Sequence, residues 1–380
     1  MKVLVDGFFF QLARSGIARV WLDLLEHWTT VSPDIDFYFL NREQDDVEIE
    51  GVEIIQFPKL PIEQCFEVWN LDPWYSDRDK IDKICADYGI DLFMSTYYTY
   101  STVCKNVLYI HDCIPEVFPH IYNMDEPIWK LKIEGIYHSH AYICVSQNSA
   151  NDLFKFYEVA GRPAIVAENA VSKSFFKTDL DIPPDSIVHE IIAKPFVIIP
   201  GLSAADSYKN QLLALKASSI VREKTELNIV CTGGSAKHHL PEYKDVVDID
   251  TVYCANFTLD ELVFLYNQSA AVLYPSLYEG FGLPLVEAFA TGAPVITCAN
   301  SSLTEVGGDL AVYTDPNNEI EMANRIISLI HADSTAYSKI AVERARNFNW
   351  SKTTKKVDSF VRQLHLETKH SAWMKSNGFI

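Results

Sequence analysis

Short runs that are apolar at every position recur along the whole chain, among them VLYI at 107–110 and YICV at 142–145, separated by stretches of helical period. A strand apolar on both faces must be covered on both faces, so such runs belong in a parallel sheet sandwiched between helices. In the first half the pattern predicts strands at Lys2–Gly7, Phe37–Leu40, Glu53–Phe57, Asp91–Ser95, Asn106–His111, Ala141–Ser146 and Ala164–Glu168. Helices are expected at Ile17–Val31, Ile81–Tyr88, Pro127–Tyr137 and Asn148–Tyr157. The first of these carries Ile17, Val20, Trp21, Leu24, Leu25 and Trp28 on one face.

Residues 172–195 break this rhythm with three prolines and no clean period. A second alternation follows, with strands at Phe196–Pro200, Asn228–Thr232, Val252–Cys254, Ala271–Tyr274, Val295–Thr297 and Ala311–Tyr313. Its helices fit Asn210–Val221, Leu259–Gln268, Leu283–Ala290, Glu319–His331 and Thr335–Asn347. The fold class is therefore α/β with two halves, and 380 residues suit two domains at roughly 100–200 each. We expect a first domain over 1–175, a linker over 176–195, a second domain over 196–350 and a terminal helix within 351–380.

Charge narrows the partners. With 51 Asp and Glu against 32 Lys and Arg the chain carries −19, which argues against a nucleic-acid partner, since phosphate contacts need a basic face. Residues 343–380 alone are basic, with 8 Lys and Arg against 3 acids. Their helix, Ser351–Leu366, lines up Val357, Phe360, Val361 and Leu364 and is expected to pack on the protein; its basic face with Trp373 would allow weak contact with a membrane surface. No uncharged apolar run reaches the 18 residues that a bilayer requires. The cysteines at 65, 85, 104, 113, 144, 231, 254 and 298 form no C-x-x-C and read as free thiols of a cytosolic protein. The N-terminus shows neither the basic start nor the small-residue cleavage site of a signal peptide.

The chemistry concentrates in Tyr274–Ala299, YPSLYEGFGLPLVEAFATGAPVITCA. A buried strand runs into a loop, and Pro284 opens a helix that Gly292 and Pro294 close. Such a loop lies at the C-terminal end of a parallel strand, where open α/β sheets bind ligands. Gly280 and Gly282 allow close backbone approach, and the free N–H groups of the helix start favour an anion. Glu279 in the loop and Glu287 in the helix are placed to share one crevice, and a carboxylate suits vicinal ring hydroxyls because it accepts two hydrogen bonds at once. Gly16 sits in a second strand–loop–helix junction, His111 ends a buried strand, and Lys209 follows the first strand of the second half.

The run E-G-F-G-L-P-L-V-E-A, followed by A-x-G-x-P-V-I, resembles the E-x7-E signature of the family 4 group of GT-B retaining glycosyltransferases. Further elements in the same order resemble that family: Tyr109–Asp112, Cys144–Ser149, Pro163–Asn169 and Asn300–Val306. The resemblance implies two Rossmann-like, doubly wound domains facing a central cleft, with the last helix crossing back to the first domain. It implies that Glu287 holds the ribose of a nucleotide sugar, while Glu279, with the amides of Gly280, Phe281, Gly282 and Leu283, holds the transferred sugar. Ser301 and Ser302 would approach the diphosphate, Gly16 and Ile17 the donor phosphates, and the backbone of Tyr253 and Cys254 the base. His111 would lie beside the sugar, with Asp112 orienting it or meeting developing positive charge, and Lys209 would clamp the diphosphate.

The family pairs that lysine with an arginine, yet 201–215 contains none; Arg14 and Arg19 are the basic residues that would have to stand in. No D-x-D flanked by an apolar strand occurs, and His238-His239 lie in a loop, so we expect neither metal nor cofactor. The resemblance implies a retaining hexosyl transfer, with UDP-glucose the first expected donor and GDP-mannose the second. The acceptor would be a glycan or lipid-linked glycan, and the place the cytoplasm or the inner face of the membrane. Two other readings fit the same residues. One is an epimerase or phosphorylase on this fold; the other is a non-enzymatic scaffold or sensor that binds nucleotide sugar.

Overall fold

The computed structural model describes residues 1–13, 16–42, 47–66 and 70–376, with the side chains of Ile62 and 368–376 excepted. Each apolar run forms a strand, displaced from its expected bounds by at most two residues at either end. The first sheet contains β1 (Lys2–Asp6), β2 (Asp36–Asn41), β3 (Val52–Gln56), β4 (Leu92–Ser95), β5 (Lys105–Ile110), β6 (Ala141–Cys144) and β7 (Ala164–Val166). Its order is β3-β2-β1-β4-β5-β6-β7, every neighbour parallel. The second sheet contains β8 (Phe196–Ile199), β9 (Asn228–Cys231), β10 (Val252–Cys254), β11 (Ala271–Tyr274), β12 (Val295–Cys298) and β13 (Val312–Thr314). Its order is β10-β9-β8-β11-β12-β13, again all parallel. Both are doubly wound: the order reverses beside the first strand, at β1/β4 and at β8/β11, which is where such sheets open a binding crevice. Strands β4, β6, β8, β9, β11 and β12 are buried at every residue, as two-sided coverage requires.

The chain divides into two units, Met1–Asn169 with Trp350–Ile380, and Ala170–Asn349. The stretch 176–195, expected as a linker, lies within the second unit. Val188 and Ile191 are fully buried there, the Asn228 amide donates to the Ile191 carbonyl at 2.8 Å, and the Asp181 N–H donates to Asp260 at 3.2 Å. Its prolines hid a short helix, Val188–Ile191, too brief to show a period.

The last helix, Trp350–Ser376, belongs to the first unit. Val357 and Val361 are completely buried, and the Trp28 and Trp350 indoles donate to Asp358 and Asp23 at 3.0 and 3.1 Å. Its basic residues are drawn into the unit's own acids: Lys356 to Glu168 at 2.6 Å, and Arg362 in a fork to Asp34 at 2.7 and 2.8 Å. The Trp373 side chain, expected to support a membrane contact, lies outside the described residues. No helix among the described residues is long and apolar enough to cross a membrane. Six cysteines are buried, whereas Cys104 and Cys254 are half-buried.

The helix expected from Ile81 starts nine residues earlier, at Asp72, with Pro73 in its first turn. Its buried face is Trp74, Asp77, Ile81 and Cys85, and the acid in that stripe disguised the period. Asp77 is accommodated because it faces Arg42. The Arg42 guanidinium is fully buried and donates to Asp6 at 2.6 and 2.9 Å and to Asp77 at 2.7 and 3.1 Å. The Phe8 and Phe57 rings flank it at 5.1 and 4.5 Å. A three-member ion network thus ties the end of β1 to the end of β2 and to a helix on the sheet face.

Candidate functional site

Three loops meet at the C-terminal edge of the second sheet, those after β8, β11 and β12. The β11 loop is fastened on both sides. Its Leu277 N–H donates to the Tyr208 carbonyl of the β8 loop at 2.8 Å, and the Asn300 amide of the β12 loop donates to the Ser276 carbonyl at 3.0 Å. Glu279 follows both fastenings in the same loop. Its N–H donates to Ser301 Oγ at 3.0 Å, its carbonyl accepts from Ser302 Oγ at 2.8 Å, and its carboxylate accepts from Ser276 Oγ at 2.8 Å. The Tyr274 hydroxyl also meets that carboxylate, and burial first and the Glu279 charge second hold its phenol well above the usual range.

The loop turns into the helix Leu283–Thr291 at Gly282, which has φ of 100°. That conformation needs glycine, and a Cβ here would also press Leu303 at 3.0 Å. Glu287 is only 5% exposed within this helix. A carboxylate that deep costs free energy unless it is partnered, so its burial sets it apart from a solvated surface acid.

The β8 loop carries Lys209, whose ammonium donates to the Gly201 carbonyl at 3.3 Å. Gly201 has φ of 62°, and Gly233, with φ of 114°, backs onto it so closely that a Cβ would lie 2.9 Å from its Cα. Gln211 pins the same loop through the carbonyls of Pro200 and Gly201 at 3.0 and 2.8 Å. Among the described residues the non-glycine positions with positive φ are Asn210 at 51° and Ser301 at 42°. Both border these loops, and such backbone costs of order 1–3 kcal/mol each and gathers where geometry serves a ligand.

Lys209, Glu279, Gly280, Phe281, Gly282, Leu283, Glu287, Ser301 and Ser302 therefore share one edge of the second unit. Tyr253 and Cys254 lie on β10, the outer strand of the sheet two places from β8, and the Tyr253 hydroxyl donates to Glu190 at 2.8 Å. The sequence reading gave no role to the side chains of Tyr274, Ser276 and Asn300, and it missed the Gly201–Gly233 contact. The T-G-G-S after β9 was the visible signal for the last of these.

The remaining candidates belong to the first unit. Gly16 and Ile17 open the helix Gly16–Val31, and His111 and Asp112 follow β5. The Trp21 indole, about 7.5 Å along that helix from Gly16, donates to His111 Nε2 at 3.3 Å. The Asp112 carboxylate accepts the Ile114 N–H at 3.0 Å, and burial raises its pKa against the pull of Lys132. Arg14 lies outside the described residues; Arg19 stands one turn before Asp23, whose carboxyl is raised by burial and pulled down in part by Arg19. The Tyr97 and Tyr98 rings lie 3.8 Å apart after β4, tilted by 31°, and Tyr100 stacks on His138 at 4.3 Å. No group of three metal-ligating side chains occurs among the described residues, and His239 is paired with Glu242 at 2.7 Å.

Burial first and the Lys132 ammonium second push the His111 imidazole down to about 3. An unfolded histidine titrates near ~6.5, so below that pH the unfolded chain takes up a proton that the folded one refuses, and stability falls as pH falls. At about 1.36 kcal/mol per unit, going from pH ~6.5 to ~5 costs roughly 2 kcal/mol. Urea unfolding at about pH 7 and about pH 5 should show that loss in the wild type and a correspondingly smaller one in His111→Asn. Equal losses in both chains would remove His111 as their source.

Two doubly wound parallel sheets in one chain, each with its loops at the C-terminal edge, make a GT-B fold. A sucrose-phosphate synthase from Thermosynechococcus elongatus superposes on 97% of this chain and 100% of its own, with a TM-score of 0.74 and 16% identity. Anabaena HepE, solved in complex with UDP-glucose, covers 96% of this chain and 100% of its own at a TM-score of 0.71 and 16% identity. Residues 188–348, all within the second unit, match the model of the family described as glycosyl transferases group 1. Among curated relatives, O-antigen chain mannosyltransferase B of Escherichia coli is 37% identical over 99 residues, 25% of this chain. The matched stretch spans 26% of that relative's length.

Proposed function

We propose that this chain is a retaining, metal-independent glycosyltransferase that moves a hexose from a nucleotide diphosphate sugar to a glycan or lipid-linked glycan in polysaccharide biosynthesis. The observation that carries this reading is the β11 loop, where Glu279 is held by three serines before the glycine-opened start of a helix, and which is fastened to the β8 loop that carries Lys209.

Cleavage of the sugar C1–O bond leaves negative charge on the diphosphate. Preorganised N–H groups at Gly280–Leu283 and the Lys209 ammonium stabilise that charge as it forms. Glu279 holds sugar hydroxyls and Glu287 the ribose. His111 contacts the hexose as a neutral ring. The acceptor oxygen bonds to C1 on the face that the leaving group vacates, and its proton passes to the departing phosphate. No carboxylate has to become covalently bound.

The donor reading is mannose ahead of glucose. The E. coli mannosyltransferase shares 37% identity over its matched stretch, whereas the protein solved with UDP-glucose shares 16% and supports the fold alone. UDP-glucose remains the second reading because that neighbour carries it on the same fold. The reaction would take place in the cytoplasm or at the inner face of the membrane, where such acceptors are extended.

Purified protein, given GDP-mannose or UDP-glucose in EDTA with a panel of glycan acceptors, should release nucleoside diphosphate and form a product of unchanged anomeric configuration. Binding with no release from either donor, with or without acceptor, would favour the scaffold reading. Lys209→Ala should weaken donor binding by calorimetry and slow turnover about 10–100-fold, the size of one charge-assisted hydrogen bond. Unaltered affinity and rate would remove Lys209 from the phosphate site.

A further inference from the structure

His111 has two ring nitrogens, and its surroundings distinguish them. The Trp21 indole N–H can only donate, and it points at Nε2 from 3.3 Å. Nε2 must therefore offer a lone pair, and a neutral ring then carries its proton on Nδ1. Trp21 is completely buried and its ring packs on Tyr109 at 5.3 Å, so the donor is held in place.

Every element packed against the ring adds to this. Helix Gly16–Val31 supplies Trp21, and β5 supplies Tyr109, whose ring lies 5.1 Å from the imidazole. Asp112 and, on the short helix Ile114–Val117, Glu116 supply negative charge, and helix Pro127–His138 supplies Lys132. Lys132 is 1% exposed. Its ammonium donates to Glu116 at 2.8 Å and to the Asp112 carbonyl at 3.2 Å, and the Tyr98 ring lies 5.3 Å away. Glu116 also accepts the Tyr157 hydroxyl. Burial works against the Lys132 charge, but Glu116 first and its other neighbours with it hold its pKa above the ordinary value. A permanent cation is thus anchored one residue beyond His111, and it opposes a second proton on the ring. The Asp112 carboxylate accepts the Ile114 N–H, so the indole is the group seen fixing the imidazole.

We propose that Trp21 and Lys132 are positioning residues for His111: Trp21 fixes the tautomer protonated on Nδ1 and Lys132 anchors the strand end beside it, so that the imidazole meets a sugar hydroxyl as a preset neutral donor and takes no part in proton transfer. The sugar contact rests on the function proposed above; the tautomer does not.

The test is nitrogen NMR of the full chain labelled with 15N-histidine, the His111 signals being those lost in His111→Asn, together with donor kinetics. The wild type should show a protonated Nδ1 and an unprotonated Nε2 at every pH from about 5 to about 8. In Trp21→Phe the two tautomers should mix and kcat should fall about tenfold with a smaller change in KM, the signature of a misaligned contact made in the transition state. Because Lys132→Met alone would strand the Glu116 charge, Lys132→Met is paired with Glu116→Gln. That variant should raise the His111 titration point by less than half of its depression, because burial is the larger cause, and Lys132→Arg should restore the wild-type titration. An Nε2-protonated ring in the wild type, an unchanged tautomer in Trp21→Phe, or a wild-type kcat in that variant would overturn the proposal. A wild-type chain that transfers no sugar but shows the expected nitrogen signals would overturn the function instead and leave the tautomer assignment standing.

Discussion

Glu279→Ala should lower kcat/KM for hexose transfer roughly 100–1000-fold while leaving affinity for the free nucleoside diphosphate within about threefold, the pattern of a group that acts on the reacting sugar. The loop should survive the change because its backbone is held independently of the carboxylate. Ser301 Oγ accepts the Glu279 N–H, Ser302 Oγ donates to its carbonyl, and Asn300 holds Ser276 from the next loop. What the substitution removes is a charged acceptor already set by Ser276 Oγ at 2.8 Å and by the Tyr274 hydroxyl. In the proposed transfer such an acceptor would need no reorganisation as positive charge develops on the sugar. Radiolabelled transfer from GDP-mannose and UDP-glucose gives the rate, and calorimetry with GDP and UDP gives the affinity. An equal loss in both would make Glu279 a support of the loop rather than a sugar ligand.

Arg42→Met should lower the melting temperature of the first unit by about 10 °C. The guanidinium is the sole cation in the described network that joins Asp6 and Asp77, and all three side chains are buried. Removing one partner of a buried ion network leaves an uncompensated charge and costs about 3–5 kcal/mol. For a unit of this size each kcal/mol shifts the transition by about 2–4 °C. Burial already raises the Asp77 pKa against the pull of Arg42, and loss of Arg42 should raise it further, so that protonation of the acid recovers part of the loss as pH falls. Scanning calorimetry should show the first unit's transition move while that of the second stays. Adding Asp6→Asn and Asp77→Asn should return much of the difference. An unmoved transition would mean that water reaches the acids.

How much of this was legible can be judged residue by residue. The loop from Pro275 to Leu283 could be read because glycine, proline and an all-apolar strand are local signals, and local signals survive without coordinates. His111 could be placed at a strand end for the same reason. Its partner could not: Trp21 sits on the apolar stripe of its helix and looks like any core residue until the fold brings β5 against it, 90 positions away. Asp77 in a helix face looked like a break in the pattern because its partner Arg42 lies 35 residues off. The stretch 176–195 looked like a linker because prolines and short helices have no period, and only its burial against the second sheet shows that it belongs there.

By itself the chain's order of apolar runs, glycines and prolines determined two parallel α/β sheets and the loop that carries Glu279, since strand coverage and turn geometry are properties of neighbouring residues. Which polar groups become partners was decided by the tertiary structure alone: Trp21 with His111, Lys132 with Glu116, and Arg42 with two acids. A buried hydrogen bond or ion pair forms between residues distant in sequence, and its energy depends on exclusion from water, which no local pattern of residues records.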